Sequence, residues 1–160
     1  MSIIKGIGAI PFKPEEIKEF LWDGEETKKY DKDREEGKTV EEFPLDVEVG
    51  YASYKGKMLV SGRDFVYSMA IVRHEDGSMV IASTATEHEA VPVTKKKVRA
   101  HTTVAGWLLK PTEAGSDCVY VSHTNFKGSL PKMITNSVAK SQGFKIATIR
   151  DAMFAKFGKK

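Results

Sequence analysis

Sulfur chemistry is almost missing from this chain. One cysteine, Cys118, stands among 160 residues, which excludes an internal disulfide framework and any multi-cysteine zinc module and fits a reducing compartment. No apolar run approaches the roughly 18 residues that a membrane-crossing helix needs. The N-terminal apolar stretch is broken by Lys5 and is too short for a secretion-signal core, so the expected setting is the cytosol. Neither charge sign dominates: the net charge of +3 offers nucleic acid no concentrated patch. His74, His88, His101 and His123 fall in separate segments without the paired spacing of a zinc site, and neither metal nor cofactor is expected. Gly6-Ile7-Gly8 lacks the third glycine of a dinucleotide loop, because Pro11 takes its place. No Gly-x-Ser-x-Gly elbow occurs and Cys118 has no base beside it in sequence, so nucleophilic catalysis has no candidate.

What is present fits one globular domain over residues 1–160, with 41% hydrophobic and 29% charged residues. Residues 3–10 read as a strand. Lys13-Pro14-Glu15-Glu16 opens a helix carrying Ile17, Phe20 and Leu21, which Gly24 is expected to stop. Residues 25–37, almost wholly charged apart from Tyr30, suit a short exposed helix or loop. From Lys38 the period changes to two: Val47, Val49 and Tyr51, then Phe65, Tyr67, Met69 and Ile71, then Met79, Ile81 and Ser83 alternate with other residues. Further strands cover about 98–110 and about 117–127. Asp76-Gly77 is a hairpin turn, and 113–116 is another. Longer connections run over 54–62 and 88–97. The last segment reads as one long helix, capped by Ser129 with Pro131 in its first turn. Its apolar stripe is Ile134, Val138, Ile146, Ile149, Met153 and Phe157, with Lys140, Lys145, Arg150 and Lys156 as polar flanks, and Gly143 is a weak point in its middle.

This order implies an α+β fold in which a curved antiparallel sheet wraps a long C-terminal α-helix. A curved sheet gripping a helix leaves space that side chains do not fill, which is a ligand cavity by default.

Four short words sharpen that expectation: Ser61-Gly62-Arg63-Asp64-Phe65-Val66, Lys97-Val98-Arg99-Ala100, Gly106-Trp107-Leu108-Leu109, and the run from Asn125 to Lys132. In this order and spacing they resemble the START family of steroidogenic-acute-regulatory-related lipid-transfer domains, over about residues 3–155. The resemblance implies a helix-grip fold whose tunnel holds one lipid (a sterol, phospholipid or sphingolipid such as ceramide). It also implies a gate loop at 54–62 and a C-terminal helical lid from 130 onward. Usual members begin with an additional helix and one or two strands. Sterol-binding members can carry a buried Arg–carboxylate pair, where Met69 and Gly50 stand here. The tryptophan common before the lid proline is Ser129.

Strand parity anchored on that resemblance gives the ligand-contacting set Phe65, Tyr67, Met69, Ile71, Ile81, Ser83, Thr102, Val104, Tyr120, Ser122 and Thr124, with Val138, Gln142, Ile146 and Ile149 from the helix. Met58, Leu59 and Val60 are the gate tip and membrane contact. Lys95, Lys96, Lys97 and Arg99, with Lys156, Lys159 and Lys160, are a second candidate for attraction to anionic lipid. Arg63-Asp64 is read as fixing a turn. The functional expectation is a monomeric, non-enzymatic lipid carrier that touches a membrane transiently. The alternatives are a cyclase- or aromatase-like enzyme on the same fold, for which Glu48 is the one carboxylate to watch, a small-ligand binder that transfers nothing, and an adapter with a collapsed cavity.

Overall fold

The computed structural model describes residues 3–57 and 59–158. β1 (Ile4–Ile10) ends where Pro11 removes a backbone donor. α1 (Pro14–Trp22) starts with proline at its first position, and Glu16 reaches back to the Lys13 N–H at 2.7 Å. Gly24 does not end the helical course. It opens α2 (Gly24–Tyr30), because Asp23 accepts from the N–H groups of Glu25 and Glu26 at 3.0 and 3.1 Å and so caps a second helix.

The charged stretch then holds more than a helix or loop: β2 (Arg34–Phe43) begins inside it. β2 is an edge strand, so its charged side chains stay wet while its backbone pairs with β3 (Val47–Tyr54). Two bulges, between Arg34 and Glu36 and between Thr39 and Glu41, scramble its alternation. The β2–β3 turn places Leu45 and Asp46 at φ 65° and 55°, a left-handed pair with no glycine to announce it. β4 (Arg63–Arg73) and β5 (Met79–Ala85) form the expected hairpin. Gly77 supplies φ 78° there, and Asp76 accepts from the Ser78 N–H and hydroxyl at 2.9 and 2.6 Å.

β6 (Val98–Arg99) lies parallel to the start of β4, while β7 (His101–Thr112) and β8 (Gly115–Asn125) complete an otherwise antiparallel sheet ordered β1-β8-β7-β5-β4-β3-β2. The C-terminal segment is two helices: α3 (Lys132–Gly143) and α4 (Lys145–Phe157). The chain leaves helical geometry at Phe144 (φ −93°, ψ 9°), directly after the glycine that weakens this point. Pro131, not Ser129, occupies the N-cap of α3.

The helices pack chiefly on one side of the sheet. α4 lies on β1 and β8, and α1 reaches β7. A Cβ on Gly8 would sit 3.1 Å from Ile146, so the Gly6-Ile7-Gly8 run serves close approach of helix to strand. Ile10, Ile17, Leu109, Ile149 and Met153 have no exposed surface in this core.

Candidate functional site

Cross-strand register fixes which side chains share the concave face. Tyr67 stands opposite Gly50, Met69 opposite Ser83, Ile71 opposite Ile81, Ile81 opposite Trp107, and Trp107 opposite Tyr120. The expected residues divide on this face. Ile81 and Tyr120 are buried in the core with Ile146 and Ile149, whereas Phe65, Tyr67, Met69, Ile71 and Ser83 are only half-buried. α3, which contacts β1 and α4, has no buried residue, and its Val138 and Gln142 are half-buried.

Val104 does not join the set. A bulge between Thr102 and Val104 shifts the register by one residue, so Val104 pairs with His123 and is 42% exposed on the outer face. The same slip brings Trp107 inward, with its ring 4.9 Å from that of Tyr120. No parity count carried through the bulge would find it.

Most of the hydroxyls expected to seek a ligand have partners within the protein. Ser83 donates to the Ala105 carbonyl at 3.1 Å, Thr102 and Thr124 bond each other at 3.0 Å, and Ser122 lies 3.4 Å from Thr124. Tyr120 donates to Gln142 at 2.5 Å, tying sheet to lid. Tyr67 differs: its hydroxyl has no hydrogen-bond partner among the described residues, and its ring occupies the space where a Gly50 side chain would be. Burial raises the pKa of Tyr67 and of Tyr120.

Three further residues reach this region without having been singled out. Tyr54 packs edge-on against Phe65 at 5.6 Å, and burial pushes its phenol far up. Arg34 comes from β2, and a Cβ on Gly37 would collide with its guanidinium. Lys145, read from the sequence as a polar flank, lies with its ammonium 5.6 Å from the centre of the Tyr30 ring.

At the gate, Leu59 is fully exposed and Val60 half-buried, with Lys57 and Val60 bridged across a tight turn. Met58 lies outside the described residues. The base of this loop is held by Arg63, whose guanidinium donates to the carbonyls of Ser61 at 2.5 Å, Phe126 at 3.2 Å and Lys127 at 2.9 Å. Asp64 accepts two bonds of 3.0 Å from Arg99, which also donates to the Val91 carbonyl. Both halves of Arg63-Asp64 therefore organise backbone. The basic candidates are largely engaged: Lys97 pairs with Glu35, and Lys156 with Asp23 at 2.9 Å. Lys159 and Lys160 lie outside the described residues.

Glu48 is on the concave face, half-buried, and accepts from Thr39 at 3.4 Å. Cys118 is buried and its thiol is pushed up to about 11 by desolvation, which removes it as a nucleophile. No metal-holding group of three ligands occurs among the described residues, and no helix among them is long and apolar enough to cross a membrane. Two surface depressions of about 350 and 460 Å³ lie elsewhere, one around His88 and Pro92 and one around Ile7, Leu108 and Val119. Neither borders the half-buried strip, which runs along the trough of the curved sheet.

The sequence profile of the START domain matches residues 2–160. No curated protein sequence matches the chain. Among solved structures, human StAR-related lipid transfer protein 5 superposes with a TM-score of 0.76 at 23% identity, over 92% of this chain and 72% of its own. Human STARD10 gives 0.78 at 22% identity, over 92% of this chain and 60% of its own, so the chain spans less than two thirds of that structure. A StAR-related lipid transfer protein fragment from Xanthomonas axonopodis gives 0.74 at 22% identity, over 92% and 82%. At such identities the likeness is one of fold: a helix-grip α+β architecture with a curved eight-stranded sheet.

Proposed function

The chain belongs to the START domain family, and on that premise we propose that it binds a single lipid on the concave face and passes it between membranes, as a cytosolic monomer without a cofactor. The observation that carries this reading is the half-buried strip of Phe65, Tyr67, Met69 and Ile71, together with an α3 that has no buried residue of its own. Aromatic and aliphatic groups left wet cost free energy that a hydrocarbon chain would recover, at about 0.8 kcal/mol per methylene. Names of structural neighbours that speak of lipid transfer point the same way.

In this reading α3 is the moving part. It swings about Gly143 and Phe144, while α4 stays fixed on β1. Leu59, exposed at the tip of the gate loop, enters the bilayer surface and lets the lipid pass between loop and lid. Closure then hides the chain from water. Release requires that protein and membrane hold the lipid comparably well, so the trough must fit without gripping too tightly.

Incubation with liposomes of mixed sterols, phospholipids and sphingolipids, followed by native mass spectrometry of the re-isolated protein, tests the proposal. One lipid per chain is expected. Failure to retain any lipid class would overturn it.

A further inference from the structure

Among the described residues, Arg34 and Lys145 are half-buried cations without a carboxylate at ion-pair distance. They come from opposite sides of the trough, Arg34 from edge strand β2 and Lys145 from the first turn of α4, and both are half-buried. Neither makes a salt bridge with any described residue. Arg34 pairs with Tyr54 across β2 and β3, and its N–H donates to the Asp31 carbonyl at 3.0 Å. Next to Asp31 stands Tyr30, whose ring lies 5.6 Å from the Lys145 ammonium, so the two cations share one end of the concave face, where the Arg34 charge bears on Lys145 and Tyr67. Asp31 is the carboxylate whose field reaches Lys145, Tyr54 and Tyr120, and it stands outside ion-pair distance of both cations. Glu48 adds its field at Tyr67, and neither carboxylate forms an ion pair with Arg34 or Lys145.

The chemistry of the cluster is one-sided. An ammonium brings three donors and a guanidinium five, with no acceptor between them. The hydroxyls of Tyr54 and Tyr67 have no hydrogen-bond partner among the described residues. Lysine at the start of a helix also opposes the helix dipole. Desolvation lowers the pKa of Lys145, Asp31 raises it in part, and Arg34 lowers it further. The face of the Tyr30 ring offsets part of the Lys145 charge, and an oxyanion would satisfy the donors that remain.

We propose that Arg34 and Lys145, assisted by the hydroxyls of Tyr54 and Tyr67, bind the anionic headgroup of the carried lipid, a phosphate monoester or a carboxylate. The inference rests on the carrier reading above and narrows it to acidic lipids.

The full chain is incubated with phosphatidylcholine vesicles containing equal parts of phosphatidic acid, oleic acid, diacylglycerol and cholesterol, and the retained lipid is identified by native mass spectrometry. Phosphatidic or oleic acid is expected to exceed every neutral or zwitterionic lipid by about tenfold. Which of the two leads assigns phosphate or carboxylate. Arg34→Gln and Lys145→Gln each reduce that ratio several-fold, the double variant brings it near unity, and Arg34→Lys keeps most of it. Circular dichroism of each variant separates lost folding from lost selectivity. If phosphatidylcholine, diacylglycerol or cholesterol dominates, or if the ratio is unchanged in the folded double variant, the headgroup assignment fails and the carrier reading survives. Retention of no lipid overturns both.

Discussion

The two halves of the concave face are built from the same kinds of residue and end up in different states. Under α4, residues of β1, β7 and β8 close on Ile149 and Met153, neither of which has exposed surface. Along β4, Phe65, Tyr67, Met69 and Ile71 remain half-wet, with Met69 and Ile71 packed against the edge of that core. The difference goes with the helices: α4 approaches β1 through Gly8 and buries Ile146, Ile149 and Met153, whereas α3, which also contacts β1, has no buried residue. Hydrophobic sequence supplies the material of a core, and backbone proximity decides whether it becomes one.

The comparison breaks most decisively through large-to-small substitutions. Met153→Ala should cost about 2–5 kcal/mol in urea unfolding, while Met69→Ala should cost no more than about 1–2 kcal/mol, since it removes a half-buried side chain. Equal losses would mean that both halves are core. Arg63→Met comes next. It leaves the carbonyls of Ser61, Phe126 and Lys127 without their donor, at a cost of roughly 1–3 kcal/mol, and limited proteolysis should cut faster within 54–62. Gly143→Ala has open space around it and should strengthen the helix by about 1 kcal/mol. Hydrogen exchange in α3 should slow, and vesicle-to-vesicle lipid transfer with it; unchanged exchange would remove this joint from the mechanism. Leu59→Glu is the mildest. Stability should stay within about 0.5 kcal/mol, while co-sedimentation with vesicles falls.

Legibility followed local regularity. The β4–β5 hairpin was readable because Asp76-Gly77 separates two clean alternations. β2 was hidden in its first residues because an edge strand wet on both faces has no apolar period to show, and its two bulges break what remains. Val104 and Trp107 exchanged faces through one inserted residue, which strand parity cannot register. The break at Phe144 was marked only by the glycine before it, and it altered the setting of Lys145, a supposed surface flank. Arg34 and Lys145 lie more than one hundred positions apart, so their meeting is a property of sheet order and of no local pattern.

Arg63 gives the two flaps of the trough a common fastener. One of its arms holds the loop before β4 and the others hold the strand end that leads into α3. Neither flap can be pulled far without loading the root of the other. In the proposed carrier cycle, a pull on either segment would load the other through the guanidinium, so that lipid entry and exit would be coupled.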